Sequence, residues 1–259
     1  MGSRRDLLRL VLFGAPVLLT RCMESTQAVP PEALNGRLHA RVDPSSSARA
    51  LVPTSQPLPL RLGTPRDGFF YVPASAGKST RAPLMVFLHG ATGTGGRAIQ
   101  RLLPHADATG TIIVAPDSRD ETWGSVTGDE GPDLDFIDAA LEKMFQSYAI
   151  DASRIGIAGF SDGASAALSL GLVNGDLFSA IAAFSPGFLH LSSPATGTPR
   201  IFISHGTSDP ILPIERCGRR IALELRSAGY SVEYREFDGE HTVPDDIRAA
   251  AFRWFTAVR

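Results

Sequence analysis

Cysteine is almost absent from this chain, with only Cys22 and Cys217 among 259 residues. No cluster of cysteine and histidine has the spacing of a metal site, which excludes a zinc-stabilised module. The net charge is −2 and no stripe of Lys and Arg appears, which excludes the electrostatic footprint of a nucleic-acid-binding protein. No internal repeat is visible. A hydrophobic content of 43% suffices for one sizeable core, so we expect an ordinary globular protein.

The first 28 residues are predicted to be an export signal of the twin-arginine type. Arg4 and Arg5 begin a basic segment, and an apolar run follows over residues 10–19. This run is too short to span a membrane. Residues 26–28, Thr-Gln-Ala, offer small side chains at the two positions that a signal peptidase reads. We therefore expect a periplasmic or extracellular protein.

Two other interpretations of this leader remain open. Cys22 follows Leu-Thr-Arg, which resembles a degraded lipoprotein box and would make Cys22 a lipid anchor, although Arg21 stands where a small residue is expected. The leader could also be a disordered cytosolic N-terminus. If it is removed, Cys217 has no partner within the chain, and the mature protein has no intramolecular disulfide.

The remaining chain divides into a flexible arm, residues 29–57, and one domain, residues 58–259. The arm is rich in Pro, Ser, Ala and Arg and has little periodicity. In the domain, apolar runs without alternation are typical of strands buried on both faces of a parallel sheet. These runs occupy residues 84–88, 111–115, 154–158, 180–184 and 200–204. Candidate outer strands lie at residues 58–62, 69–72 and 232–237.

Helical patterns separate these strands at residues 134–148, 164–173, 214–228 and 244–258. Strands that alternate with helices predict an α/β fold, with a mostly parallel sheet and helices on both faces. In such a sheet, reactive groups gather at the carboxyl ends of the strands.

One of these strand ends carries the pattern of a nucleophile elbow. Residues 159–163 read Gly-Phe-Ser-Asp-Gly, between the apolar run at 154–158 and a segment of small, helix-compatible residues. A serine on so sharp a strand-to-helix turn needs small residues two positions before and after it. Ser161 is therefore the candidate nucleophile. The helix that follows it presents free N–H groups to an oxyanion.

A serine nucleophile needs a histidine base and an acid that orients this base. Asp209 follows the strand at 200–204, in a turn where backbone N–H groups can hold a carboxylate. His241 is the only histidine downstream of Asp209, and it follows the last strand. The order Ser, Asp, His is the one expected for this architecture, so we predict a catalytic triad. His205 and His190 precede the acid and are predicted to be structural.

The first buried strand is followed by His-Gly-Ala-Thr-Gly-Thr-Gly-Gly at residues 89–96. This segment lacks the ending of a phosphate-binding P-loop and the full dinucleotide fingerprint. We interpret it as an oxyanion loop in which a backbone N–H points at the site. His89 is predicted to hold the loop by hydrogen bonds.

With these motifs, the chain resembles the α/β-hydrolase superfamily, and within it the phospholipase/carboxylesterase and polyhydroxybutyrate-depolymerase-like group. The resemblance covers about residues 84–258. The matching segments are residues 88–90, 135–137, 148–155, 159–163, 205–210 and 239–241. Related thioesterases usually carry Gln after the serine, where this chain has Asp162.

This resemblance implies a serine esterase that forms an acyl-enzyme and needs no cofactor and no metal. It also implies an oxyanion hole formed by the N–H groups of Asp162 and Ala91. The expected partner is a small or polymeric ester; the oligomeric state stays open. A thioesterase or peptidase would use the same residues. A non-catalytic binding protein on the same scaffold is a further alternative.

Access to the site depends on residues 186–199, which are rich in Ser, Pro and Gly. Cap domains of this superfamily are often inserted at this place, and the segment is too short to form one. We expect an uncapped, solvent-open site without interfacial activation. Trp123 and Phe188 are predicted to line the substrate cleft.

Overall fold

The computed structural model describes residues 36–43, 50–127 and 131–257. The predicted export signal, with the candidate lipidation site Cys22, lies outside these residues. The same holds for residues 29–35 and 44–49 of the predicted arm. Within the described part of the chain, no helix has the length and apolar character needed to cross a membrane.

One sheet of eight strands organises the domain, in the spatial order β1-β2-β4-β3-β5-β6-β7-β8. The first two strands pair antiparallel, as do β2 and β4, whereas all other neighbours are parallel. The predicted fold class is confirmed. The strands are β1 (Leu58–Pro59), β2 (Gly68–Tyr71), β3 (Ala82–Leu88), β4 (Ile112–Pro116), β5 (Ile150–Phe160), β6 (Ala180–Phe184), β7 (Arg200–Gly206) and β8 (Val232–Phe237).

Seven α-helices of the described chain cover both faces of this sheet. The first core cluster includes residues of α4, α5 and α6, and the second includes residues of α1, α2 and α7. A 3-10 turn, Ala74–Lys78, precedes β3. The helices are α1 (Gly95–Gln100), α2 (Leu103–Thr109), α3 (Gly124–Thr127), α4 (Gly131–Ser147), α5 (Asp162–Val173), α6 (Gly218–Ser227) and α7 (Asp245–Thr256).

Strand β3 shows why a continuous apolar run suits this sheet. All seven of its residues are buried. Leu84, Val86 and Leu88 pack in one core, whereas Met85 and Phe87 pack in the other. Successive side chains of a strand point to opposite faces, so a strand covered on both sides needs an apolar residue at every position.

Part of the predicted arm is fixed on the domain. The Arg37 guanidinium donates hydrogen bonds to both carboxylate oxygens of Asp176, at 2.9 and 2.8 Å. The Leu38 N–H donates to Asn174 Oδ1 at 2.8 Å, and the Leu38 side chain is buried. The expectation of a loosely attached arm therefore does not hold for residues 36–43, because paired charges and apolar burial hold them.

Asp176→Asn is expected to loosen residues 36–43. The hydrogen bond from Arg37, with further ones from Thr196 and Arg41, outweighs partial burial and holds the pKa of Asp176 well below its usual range. Because this pKa is depressed in the folded state, the stabilisation exists at neutral pH and is lost as the pH falls below about 4.

The measurement is the rate of trypsin cleavage after Arg41 at neutral pH. We expect faster cleavage in Asp176→Asn than in the wild type. The matched control is Asp246→Asn on the exposed side of α7, which should be cleaved at the wild-type rate. Equal rates in all three proteins would show that Asp176 does not hold this segment.

Candidate active site

Ser161 lies on the sharp turn between β5 and α5, with backbone angles φ 58° and ψ −121°. A positive φ is rare for a residue with a side chain and marks local strain. The Ser161 N–H donates to Phe184 O at 2.9 Å, which ties the turn to the end of β6. The structure therefore has the strained strand-to-helix geometry that the sequence predicts for this serine.

The two glycines around Ser161 are explained by close backbone contacts. A Cβ atom at Gly159 would lie 2.1 Å from Gly163 O, and one at Gly163 would lie 2.2 Å from Leu88 O. Such distances are too short for any side chain. The turn therefore needs glycine at both positions, so that α5 can begin directly against the ends of β5 and β3.

The structure brings Ser161, His241 and Asp209 into one hydrogen-bonded chain. His241 Nε2 lies 2.9 Å from Ser161 Oγ, and His241 Nδ1 lies 2.6 Å from Asp209 Oδ2. The residues follow β5, β8 and β7, parallel strands whose carboxyl ends lie at one edge of the sheet, with β6 between β5 and β7. A carboxylate at Nδ1 selects the tautomer in which Nδ1 carries the proton and Nε2 accepts from the serine hydroxyl.

The carboxylate of Asp209 is fully buried and fixed by backbone groups. Its Oδ1 accepts hydrogen bonds from the N–H groups of Ile211 at 2.9 Å and Leu212 at 2.8 Å. Burial by itself would raise the pKa of Asp209, but the hydrogen bonds from Leu212, His241 and Ile211 outweigh it and lower this pKa. Asp209 is therefore an anion at neutral pH, as an orienting acid requires.

His205 holds the loop that carries Asp209. It is buried, its Nε2 donates to Leu212 O at 2.8 Å, and the same nitrogen lies 3.2 Å from Asp209 Oδ2. Burial lowers the pKa of His205, which favours its neutral form. Its described partners are Leu212 and Asp209, whereas His241 bonds to Ser161, in agreement with a structural role for His205.

The loop after β3 lies directly against the serine. A Cβ atom at Gly90 would lie 3.4 Å from Ser161 Cβ. His89 holds this loop, since its Nδ1 donates to Gly90 O at 2.8 Å and its Nε2 accepts from Ser118 N at 3.0 Å. Burial lowers the pKa of His89, in agreement with a neutral ring that both donates and accepts. Ala91, the predicted oxyanion donor, follows this contact directly.

Asp162, the other predicted oxyanion donor, is the first residue of α5. The N–H groups in the first turn of a helix have no partner within the helix, which leaves that of Asp162 available. Its side chain accepts a hydrogen bond from Thr122 Oγ1 at 2.7 Å. The carboxylate is thus held by Thr122, and the roles of Asp162 and Ala91 as oxyanion donors stay predictions.

Two predicted substrate-binding residues lie elsewhere. Trp123 is buried at 1% exposure, and its Nε1 donates to His89 O at 2.7 Å, so it supports the oxyanion loop from inside. Phe188 is half-buried, and its N–H donates to Ser165 Oγ on α5 at 3.3 Å. Neither residue lines the cavity beside the triad, and their predicted role in the substrate cleft stays a prediction. A buried indole whose N–H finds a carbonyl acceptor can fill a core, as Trp123 does here.

No cap domain follows β6. Residues 185–199, all described, contain neither helix nor strand. This loop runs along α5, with N–H groups of residues 187, 188 and 190 donating to Ser165 and Ser169 and that of Thr196 donating to Leu172 O. The loop therefore covers α5, the helix that follows Ser161.

A cavity of about 200 Å³ opens beside the triad. His241 and Gly90 line this cavity, as does Phe160, whose ring centroid lies 4.8 Å from that of His241. Sequence reasoning missed this cavity and its residues from α1. One signal in the sequence could have indicated α1. Thr94 is its N-cap residue, and the Thr94 side chain accepts a hydrogen bond from the Arg97 N–H.

Metal ligands were not predicted for this chain. Among residues 36–43, 50–127 and 131–257, no group of three or more His, Cys, Asp and Glu side chains is arranged to hold a metal ion.

Comparison with solved structures decides the fold. A ferulic acid esterase from Anaeromyces mucronatus superposes with a TM-score of 0.62 at 18% identity, over 79% of this chain and 90% of the other. A phospholipase/carboxylesterase from Dyadobacter fermentans superposes with a TM-score of 0.54 at 24% identity, over 68% and 91%. The chain has the α/β-hydrolase fold. The resemblance to esterases of this superfamily that the sequence predicts is confirmed.

Two sequence comparisons narrow the resemblance within the α/β-hydrolases. Residues 134–250 match the phospholipase/carboxylesterase family. This range contains Ser161, Asp209 and His241 and leaves out the oxyanion loop. A probable feruloyl esterase C from Aspergillus oryzae is 29% identical over 104 residues, which are 40% of this chain. The match spans 37% of that relative's length, and a feruloyl esterase C from Emericella nidulans is matched over the same share at 27% identity.

Proposed function

We propose that the protein is a serine hydrolase that cleaves carboxylic esters through an acyl-enzyme. The observation that carries this proposal is the hydrogen-bonded chain from Asp209 through His241 to Ser161, with the serine on a strained turn. The match to the phospholipase/carboxylesterase family and the similarity to feruloyl esterases support an ester as the substrate.

In the acylation half of the reaction, Ser161 Oγ attacks the ester carbonyl carbon while its proton passes to His241 Nε2. The negative charge on the carbonyl oxygen is stabilised by the N–H groups of Asp162 and Ala91. Asp209 stabilises the imidazolium that forms. The intermediate then collapses, the bond to the alcohol oxygen breaks, and His241 gives its proton to the leaving alcohol.

Deacylation repeats these steps with water as the nucleophile. His241 Nε2 takes a proton from the water, whose oxygen attacks the acyl carbon bound to Ser161. The second intermediate collapses, Ser161 Oγ leaves with the proton from His241, and the carboxylic acid is released. In each half of the reaction His241 returns the proton that it has taken up, so the reaction proceeds without a cofactor.

The test combines an activity-based label with a substrate panel. A fluorophosphonate should modify Ser161, located by mass spectrometry of the digested protein. The panel contains 4-nitrophenyl esters of rising chain length, methyl ferulate, a thioester and a peptide amide. We expect faster turnover of the oxygen esters than of the thioester and the amide. An unlabelled Ser161 together with no turnover would contradict the proposal and favour a binding protein on this scaffold.

Export is proposed on the basis of the sequence alone. The leader, residues 1–28, has the basic and apolar parts of a twin-arginine-like signal, which exports a protein already folded. Fractionation of cells that produce the full chain would test the proposal. Enrichment in the periplasm or medium is expected, and accumulation in the cytoplasm would contradict it.

A further inference from the structure

The cavity beside the triad is lined by aromatic and by basic side chains. Phe87, Phe160 and Phe184 line it together with His241. Ring and alkyl groups of a substrate can be buried against such a surface. The cavity therefore has room for one side of an ester whose reacting carbonyl lies at Ser161.

Three arginines line the same cavity: Arg97, Arg101 and Arg248. Arg97 and Arg101 are four residues apart at α1 and its C-terminus, which places them on one side of the helix. Both are exposed, and among the described residues no carboxylate forms an ion pair with either. Their guanidinium groups therefore remain available to a ligand.

The third arginine is fixed more firmly in the wall. Arg248 donates to Val243 O at 2.5 Å and to Asp245 Oδ1 at 3.3 Å, and its side chain is 16% exposed. Its Nε is buried without a hydrogen-bond partner in the described structure. Asp245 is itself largely exposed and does not line the cavity, so it offsets only part of this charge.

Among the residues that the structure describes, no Asp or Glu lines the cavity. This concentration of positive charge contrasts with the whole chain, whose net charge is −2. Like charges four residues apart on a helix repel each other, and a bound anion relieves this repulsion. Guanidinium groups bind carboxylates in particular, because their planar N–H groups match the two oxygens.

We propose that this cavity is a subsite for a carboxylate, and that the enzyme prefers esters whose acyl or alcohol part carries a second, negatively charged group. The inference rests on the proposed esterase function of the adjoining triad. The apolar part of the substrate packs against the three phenylalanines, and its carboxylate pairs with the exposed Arg97 and Arg101.

The experiment measures kcat/KM for two pairs of substrates that differ in charge at nearly constant size. In the acyl pair, 4-nitrophenyl hydrogen glutarate is compared with 4-nitrophenyl pentanoate. In the alcohol pair, 4-carboxyphenyl butyrate is compared with 4-carbamoylphenyl butyrate. The hydrolysis rate measured with the Ser161→Ala protein is subtracted from each rate as background. We expect the charged member of at least one pair to be preferred by about fivefold or more.

A double variant tests whether the arginines cause this preference. Arg97→Gln combined with Arg101→Gln should reduce the ratio of charged to neutral kcat/KM to about one. Arg253→Gln is the matched control, since Arg253 is exposed on α7 and does not line the cavity, and it should keep the wild-type ratio. For the wild type, raising sodium chloride from about 20 mM to about 500 mM should also lower the ratio.

The outcomes separate this inference from the function on which it rests. If the neutral esters are hydrolysed and neither pair shows a preference for its charged member, the proposed subsite is wrong. The proposed esterase function is then still supported. A preference that survives the double variant also overturns the subsite. Absence of turnover with all four esters overturns both proposals.

Discussion

Ser161→Ala should lower kcat/KM for a simple aryl ester by at least about 10,000-fold. The alanine removes the hydroxyl that lies 2.9 Å from His241 Nε2, which is the group that forms the acyl-enzyme in the proposed mechanism. Alanine keeps the Cβ that the turn already accommodates, so the melting temperature should stay close to that of the wild type. The measurement is steady-state hydrolysis of 4-nitrophenyl butyrate with purified proteins.

Ser179→Ala is the matched control for this substitution. Ser179 lies just before β6, at the opposite end of the strands, and its hydroxyl donates to Ile155 O at 3.1 Å. This control should retain nearly full activity and should still react with the fluorophosphonate. A Ser161→Ala protein that keeps even a tenth of the wild-type turnover would refute the role of Ser161 as nucleophile.

The central strands could be predicted because their surroundings leave little choice of residue. Strands β3 to β7 are covered by helices on both faces, and each contains a short apolar run in the sequence. The order of Ser161, Asp209 and His241 along the chain then placed each of them after its own strand. For this reason the geometry of the three residues followed from the order of the strands, without any knowledge of side-chain contacts.

Helices α1 and α2 were missed because local preferences argue against them. Helix α1 begins with Gly95 and Gly96, which disfavour a helix, and α2 has only seven residues, too few for a clear helical period. Tertiary contacts override these preferences, since Ile99 and Ala106 are buried in the core. The cavity that α1 lines was consequently absent from the sequence-based description of the site.

The arm shows a different limit of sequence reasoning. Residues 36–43 are held by side chains that are distant in the sequence. Such contacts do not require a periodic pattern in the segment itself. Asp138 Oδ1 accepts hydrogen bonds from the N–H groups of His39 and Ala40, both at 2.8 Å. A segment held by single polar contacts of this kind carries no signature in its own composition. Only the folded arrangement of α4 and α5 shows where it lies.

Gly163→Ala should damage both stability and catalysis, because the methyl group has no space. Its Cβ would lie 2.2 Å from Leu88 O and 2.4 Å from His89 O, and backbone atoms cannot rotate away as a side chain can. The start of α5 must then move away from β3. We expect a loss of unfolding free energy of about 1–3 kcal/mol or more. This shift displaces Ser161 and the Asp162 N–H, so kcat/KM should fall by about 100-fold.

The measurements are chemical unfolding and hydrolysis of a neutral aryl ester, with Gly131→Ala as the matched control. Gly131 begins α4, and a Cβ atom there would meet nothing within 4 Å. This control should change the unfolding free energy by no more than about 0.5 kcal/mol, or raise it by restricting the unfolded chain. If Gly163→Ala behaved like Gly131→Ala in both measurements, the contact between α5 and the oxyanion loop would not determine the geometry of the site.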